Sequence, residues 1–306
     1  MKTQSTLKSL LALALLASVA SGSAEAKLNV ITTIPDLRSI TEEVAGDLVN
    51  VESLGRGTQD PHYIEAKPSY MLKVNKADLV ISIGMELEIG WLPSILAGAR
   101  NPKVNAGEKG NLEVGSSVEP LEVPKGNISR ADGDVHPAGN PHVTLDPIRA
   151  GEIAQKIAAR LGELDPPNAA KYEAGAKALV SRLTEKSRDW DSRIRKSGVT
   201  QVITYHKTLT YFLDRFKLEN PAILEPKPGI PPTSGHIIDV IKLAKEKKIG
   251  LVLVENYFDP TVTTKIKQEV PGLRAVTVAV AVDGAPGVKK IDDVYEGLVK
   301  AIEGSK

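Results

Sequence analysis

The sequence predicts an α/β fold of two βα-repeat lobes, each with a parallel sheet, joined by one long rigid helix. Three observations carry this. Short β-branched runs alternate with amphipathic stretches from Leu28 onward. The alternation occurs twice, on either side of segment 168–196, which contains no Pro and only Gly175. At 306 residues the chain is also longer than one core usually serves.

Residues 1–26 stand apart from both lobes. Lys2 and Lys8 lead into an apolar run, Leu10 to Ala20, and small residues follow to Ala24-Glu25-Ala26. A basic start, a short apolar middle and an A-x-A ending describe a secretory signal peptide cut after Ala26. The apolar run is too short to span a bilayer. A buried core helix is the alternative for this segment.

The first lobe, 27–165, begins with a strand at Leu28 to Ile34, and Pro35-Asp36 opens a helix to about Ala45. Leu48 to Leu54 is a second strand. Pro68 starts a helix to about Ala77, and Asp78 to Gly84 is a strand apolar enough to be covered on both faces. Gly115 to Pro141, rich in Gly, Pro, Ser and Asp and without periodicity, reads as an irregular exposed loop. Asp146-Pro147 begins a helix with Ala150, Ile153, Ile157 and Leu161 on one face.

The linking helix, 166–197, is entered through Asp165-Pro166-Pro167 and ended by Ser197-Gly198. Tyr172, Ala176, Leu179, Leu183, Trp190 and Ile194 recur at spacings of three and four, with one turn skipped at Ser187. Roughly 40 Å long at 1.5 Å per residue, such a helix resists wide hinge bending. The second lobe, 198–306, places strands at Thr200 to Tyr205, Gly250 to Val254 and Leu273 to Val282. Its helices are Leu209 to Lys217, Gly235 to Lys248, Pro260 to Val270 and Ile291 to Glu303.

Composition narrows the function. Lys plus Arg (39) balances Asp plus Glu (38), so no basic field awaits nucleic acid or an anionic membrane. Aromatic residues make up 4%, too few for a stacking platform for sugars or bases. There is no cysteine, hence no disulfide, thiolate metal site, Cys nucleophile or lipidated cysteine at the cleavage point. An exported, untethered protein of a periplasm-like compartment fits these facts.

Of five histidines, three occupy equivalent places. His62 follows Asp60-Pro61, a rigid turn after a strand; His142 follows Asn140-Pro141 before a helix; His206 ends the strand that Tyr205 closes. Asp283 ends the last strand, before Gly284. In α/β sheets ligands gather beyond the carboxyl ends of strands, which puts all four in the cleft between lobes. Three imidazoles and a carboxylate complete a shell for a divalent ion such as zinc. Each residue alone reads as an ordinary loop histidine or a turn-forming aspartate; the recurrence of all four at one topological place is what points to a metal. His136 reads as a solvated loop histidine, with a passing contact to incoming metal as the alternative, and His236 as a surface residue. Glu65, Asp146 and Glu255 are the carboxylates near enough in sequence to brace a ligating ring.

These motifs resemble a known family. Asp60-Pro-His-Tyr-Ile-Glu-Ala-Lys-Pro-Ser69, Asn140-Pro-His-Val-Thr-Leu-Asp-Pro147, Tyr205-His206 before Tyr211-Phe212, and Asp283 after the final strand are similar to the zinc- and manganese-type substrate-binding proteins of bacterial ABC importers. The resemblance spans the mature chain and implies His62, His142, His206 and Asp283 as metal ligands. It implies a monomeric periplasmic carrier that captures Zn²⁺ and hands it to a membrane ABC permease. His in the third place favours zinc; a manganese or ferrous carrier of the same fold is the alternative. A four-ligand shell leaves no position for an activated water, so carriage is expected rather than hydrolysis; a zinc hydrolase is the rival from the enzyme class. Two departures are visible. The loop before His142 holds only His136 where many zinc-type members are His-rich, and Thr144 stands where an aromatic is common.

Overall fold

In the computed structural model, residues 27–126, 133 and 135–304 are described; the signal-like segment 1–26 lies outside them. Strands β1 (Leu28–Thr32), β2 (Val49–Ser53), β3 (Leu79–Ser82) and β4 (Asn111–Glu113) form a parallel sheet in the order β2-β1-β3-β4. Strands β5 (Ile203–Thr204), β6 (Leu251–Glu255) and β7 (Arg274–Val278) form a second parallel sheet in the order β5-β6-β7. The first lobe adds helices α1 (Pro35–Ala45), α2 (Pro68–Asn75), α3 (Leu92–Ala99) and α4 (Pro147–Leu164). Helix α5 (Ala169–Ser197) links to the second lobe, which carries α6 (Thr210–Arg215), α7 (Ser234–Lys247), α8 (Val262–Glu269) and α9 (Ile291–Glu303). No helix among the described residues is long and apolar enough to cross a membrane.

Helix α5 buries the stripe its spacing predicts: Tyr172, Ala176, Leu179, Leu183, Trp190 and Ile194, with Ser187 buried in the skipped turn. It ends where Gly198 adopts a left-handed conformation, φ +74°. The helix packs on α4 and α1 of the first lobe and on α9 of the second. Arg193 also ties α5 to α9 through Glu296 and Glu303 at 2.8–2.9 Å. Half-exposed ion pairs are worth about 0–1 kcal/mol each, whereas burying a large apolar side chain is worth about 1.5–3 kcal/mol. The apolar stripe therefore fixes the helix, and the arginine sets its register.

The lobes are stitched directly as well. Buried Asp36, at the start of α1, accepts from the Val282 N–H at 2.8 Å and from the Thr144 hydroxyl at 2.9 Å. Burial pushes its carboxyl up to about 6, although both hydrogen bonds oppose that. Ser39 Oγ accepts from the Ile291 N–H, and the Tyr295 hydroxyl donates to the Thr144 carbonyl. Thr144 thus links α1 to α9, its hydroxyl bonding Asp36 and its carbonyl accepting from Tyr295. Asn256 donates to the carbonyls of Gly57 and Gly284 at 2.8 and 3.1 Å. Gly57 sits so close that a Cβ there would lie 2.0 Å from the Val282 carbonyl oxygen.

Four elements differ from expectation. The last strand stops at Val278 because the chain then leaves the sheet: the Val280 N–H goes to Asn256 Oδ1 and the Val282 N–H to Asp36. Helix α3 and strand β4 lack a sequence signal, being short, with Pro93 and Gly98 in the helix and one apolar residue in the strand. The described part of the 115–141 loop is partly buried rather than exposed. It begins with a 3₁₀ turn, Gly115–Ser117, and buries Val118 and Asn140. The Tyr211 hydroxyl pins it, accepting from the Leu121 N–H and donating to the Asn140 carbonyl.

Candidate metal centre

His62, His142 and His206 converge at the interlobe cleft. Their ring centroids form a near-equilateral triangle of 5.2, 5.5 and 5.6 Å, and one nitrogen of each lies within 4.8 Å of the others. Nitrogens about 2.1 Å from one tetrahedral ion sit about 3.4 Å apart, a short contraction from this arrangement. Among the described residues this is the one such group of three or more metal-capable side chains.

Two of the rings are fixed from behind, and the third residue is held through its backbone. Asp60 caps the 3₁₀ turn Pro61–Tyr63, accepting from the His62 N–H at 3.0 Å and from Nδ1–H at 2.7 Å. That leaves Nε2 of His62 with its lone pair facing the cluster. The Trp91 indole donates to the Pro61 carbonyl and holds the turn. His206 presents Nδ1 to Glu225 at 2.6 Å, and its backbone N–H donates to Glu255 Oε1 at 3.2 Å. His142 donates its backbone N–H to Asn140 Oδ1, which positions its main chain, and Asn140 is itself tied to Glu122 and the Lys207 carbonyl. The ring nitrogen Nε2 of His142 is buried and has no hydrogen-bond partner among the described residues. A buried imidazole nitrogen without a partner costs about 1–3 kcal/mol, and a metal ion in the triangle would satisfy it.

The electrostatics keep the site ready to bind. Burial, and then repulsion from His62, His206 and His136, hold His142 well below the ordinary histidine value, so its ring stays neutral. Burial would raise Asp60, but the hydrogen bonds and charge of His62 keep it below the usual carboxylate range. Glu255 is different: burial pushes it up to about 8, and its Oε2 has no partner among the described residues. A raised acid favours the folded state below its unfolded value near 4.5, and that advantage is lost as pH rises through about 8. Glu255→Gln, which keeps the acceptor for the His206 N–H, is expected to melt progressively higher than the metal-free parent from pH 5 to 8. Thermal unfolding across that range checks this; parallel curves would refute it.

The expected bracing carboxylates need correction. Glu65 is exposed, with Lys67 at 3.6 Å, and Asp146 caps α4 while pairing with Arg149 and Arg215. Of the three, only Glu255 touches a clustered residue. Asp60 and Glu225 brace the rings instead, and Glu225 ends the short apolar run Ala222-Ile-Leu224 that bridges to Thr204. His136 also departs from a solvated loop histidine: its ring stacks on His62 at 5.4 Å, with the two Nε2 atoms 3.3 Å apart. His236 is half-buried, its Nε2 2.9 Å from the Ile223 carbonyl.

Asp283 lies apart from the triangle. Its Oδ2 accepts from Arg38 at 2.6 Å and its Oδ1 from Lys289 at 2.9 Å, and its backbone is left-handed, φ +60°. Two cavities of about 40 Å³ flank His142. One is lined by Asp36, Gln59, Thr208 and Tyr257, the other by His136, Glu122, His206 and Lys207. Pockets for organic ligands run to about 300–1,000 Å³, so this space suits an ion and a water or two.

The family model for the zinc-uptake complex component A, periplasmic (ZnuA), matches residues 30–302. The chain belongs to this family. Among relatives of this ZnuA-family chain, the manganese ABC transporter substrate-binding lipoprotein ScaA of Streptococcus gordonii is 27% identical over 91% of both chains. The zinc-binding lipoprotein AdcA of Streptococcus pneumoniae is 26% identical over 86% of this chain, which spans about half (52%) of AdcA. A crystal structure of ZnuA superposes with a TM-score of 0.73, covering 90% of this chain and all of that one at 23% identity, and so shares the fold. Both relatives are named lipoproteins, at odds with the expected untethered protein, and the sequence here contains no cysteine.

Proposed function

We propose that this ZnuA-family chain captures Zn²⁺ outside the cytoplasm and delivers it, as a monomer, to the permease of an ABC importer. Its ligands are His62, His142 and His206, with Asp283 as the fourth. The observation that carries the reading is the triangle of imidazoles, two of them braced by Asp60 and Glu225, with His142 Nε2 buried and without a hydrogen-bond partner among the described residues. Imidazole donors favour zinc over the harder manganese ion. Manganese stays the second reading, because ScaA, of similar length, is named for manganese. Carriage is favoured over hydrolysis by size: cavities of about 40 Å³ leave no room for an organic substrate beside a bound ion. Export is supported by the basic, apolar and small-residue succession in 1–26.

Isothermal titration of chelator-stripped protein with Zn²⁺ and Mn²⁺ tests the proposal. One tight zinc site and weaker manganese binding are expected. Equal affinities would remove the zinc assignment, and binding of neither ion would remove the function.

A further inference from the structure

The placement of Asp283 points to a selectivity device. Both its carboxylate oxygens are engaged by cations from different parts of the chain. Arg38, on α1 of the first lobe, gives Nη2 to Oδ2 at 2.6 Å; Lys289, six residues on from Asp283 in the second lobe, gives Nζ to Oδ1 at 2.9 Å. The guanidinium is steadied by Glu42 one turn along α1, at 3.3 Å from Nη1. The Arg38 side chain is 25% exposed and that of Asp283 39%, so the pair is partly shielded from water. The Asp283 N–H is bonded to the Val288 carbonyl, which closes the turn carrying Lys289.

We infer that Arg38, assisted by Lys289, sets metal selectivity by holding Asp283 away from the three histidines, so that an ion must take the carboxylate from two cations. This rests on the proposed carrier function and on Asp283 as its fourth ligand. Zinc is held well by three imidazoles and loses little if the carboxylate arrives late. A harder ion such as Mn²⁺ depends on oxygen donors and bears most of the cost of freeing one. The tie therefore discriminates against hard ions even though the donor set admits them. The side chain responsible contributes no ligand atom and lies on the other lobe from the carboxylate it restrains.

The test compares Zn²⁺ and Mn²⁺ affinities, by chelator competition, in the parent, Arg38→Gln, Asp283→Asn and the double variant. Half-exposed charge-assisted pairs suggest about a three- to tenfold effect. Arg38→Gln is expected to tighten manganese binding by that factor and zinc binding by less, and to do neither when Asp283 is Asn. Unchanged manganese affinity would overturn the inference. So would weaker binding, which would make Arg38 a support for the ligand. An equal gain in the Asp283→Asn background would also overturn it, by assigning the effect to charge alone. Lys289→Gln, at an exposed residue, should shift manganese the same way and covers the case in which Arg38→Gln does not fold. A parent that binds no zinc would instead remove the carrier reading itself, so the two failures are distinct.

Discussion

Replacing His142 with Ala is expected to lower zinc affinity by at least about a hundredfold, since even residues that only brace a ligand cost about 10- to 100-fold. The same change should flatten the acid sensitivity of the metal-free protein. His142 is held neutral by burial and by its neighbouring rings, while the unfolded chain takes up a proton there near 6.5. A group depressed in the folded state contributes stability above its unfolded value, and that contribution is lost as pH falls through the folded one. The metal-free parent should therefore lose melting temperature more steeply below pH 6.5 than His142→Ala does. Zinc titration together with thermal unfolding from pH 7 to 5 reads both effects. A variant binding zinc within a few-fold of the parent would take His142 out of the site.

The second large effect is at Gly57. A Cβ there would lie 2.0 Å from the Val282 oxygen, 2.5 Å from the Gly284 nitrogen and 2.6 Å from the Asp283 carbonyl carbon. All three are backbone atoms of the other lobe and cannot rotate aside. Gly57→Ala should cost about 3 kcal/mol, at the upper end of overpacking, which in a chain of this size lowers the melting temperature by about 5–10 °C. The damage should extend to zinc affinity, because the same loop leads to Asp60 and His62. Gly235→Ala is the control: nothing lies within 4 Å of its Cβ position, and it sits in the first turn of α7. Alanine there should be neutral or slightly stabilising. Equal melting temperatures for parent and Gly57→Ala would show that the lobes part easily at this seam.

Much of the fold was legible because its signals are local. The spacing of Tyr172, Ala176, Leu179, Leu183, Trp190 and Ile194 marks α5, and Gly198 marks its end. Pro61 and Pro141 announce the turns that aim His62 and His142. What escaped depends on partners far away in sequence. Nothing around Leu273 to Val282 tells that Val282 gives its N–H to Asp36, so the apolar pattern carries the expected strand on to Val282, four residues past its actual end at Val278. Arg38 and Asp283 meet across 245 residues, and no periodicity records such a meeting. Asp60 was visible as half of a turn, yet its role in fixing the His62 tautomer follows from geometry alone. Glu225, brought to His206 where the Leu224 and Glu225 N–H groups bond the carbonyls of Thr204 and Tyr205, carries even less local signal.

The return of α9 to α1 and α5 bears on how the chain acquires its structure. Asp36 receives the Val282 N–H across 246 residues, and Ser39 receives that of Ile291 across 252. Helix α1 forms early in synthesis, yet two of its polar partners, the N–H groups of Val282 and Ile291, and part of its apolar cover come from residues more than 240 positions later. Contacts this distant in sequence are entropically slow to close. The first lobe cannot finish before α9 has been made, and its unfinished face is open to chaperones or to aggregation throughout that interval. Helix α9 thus completes both lobes at once.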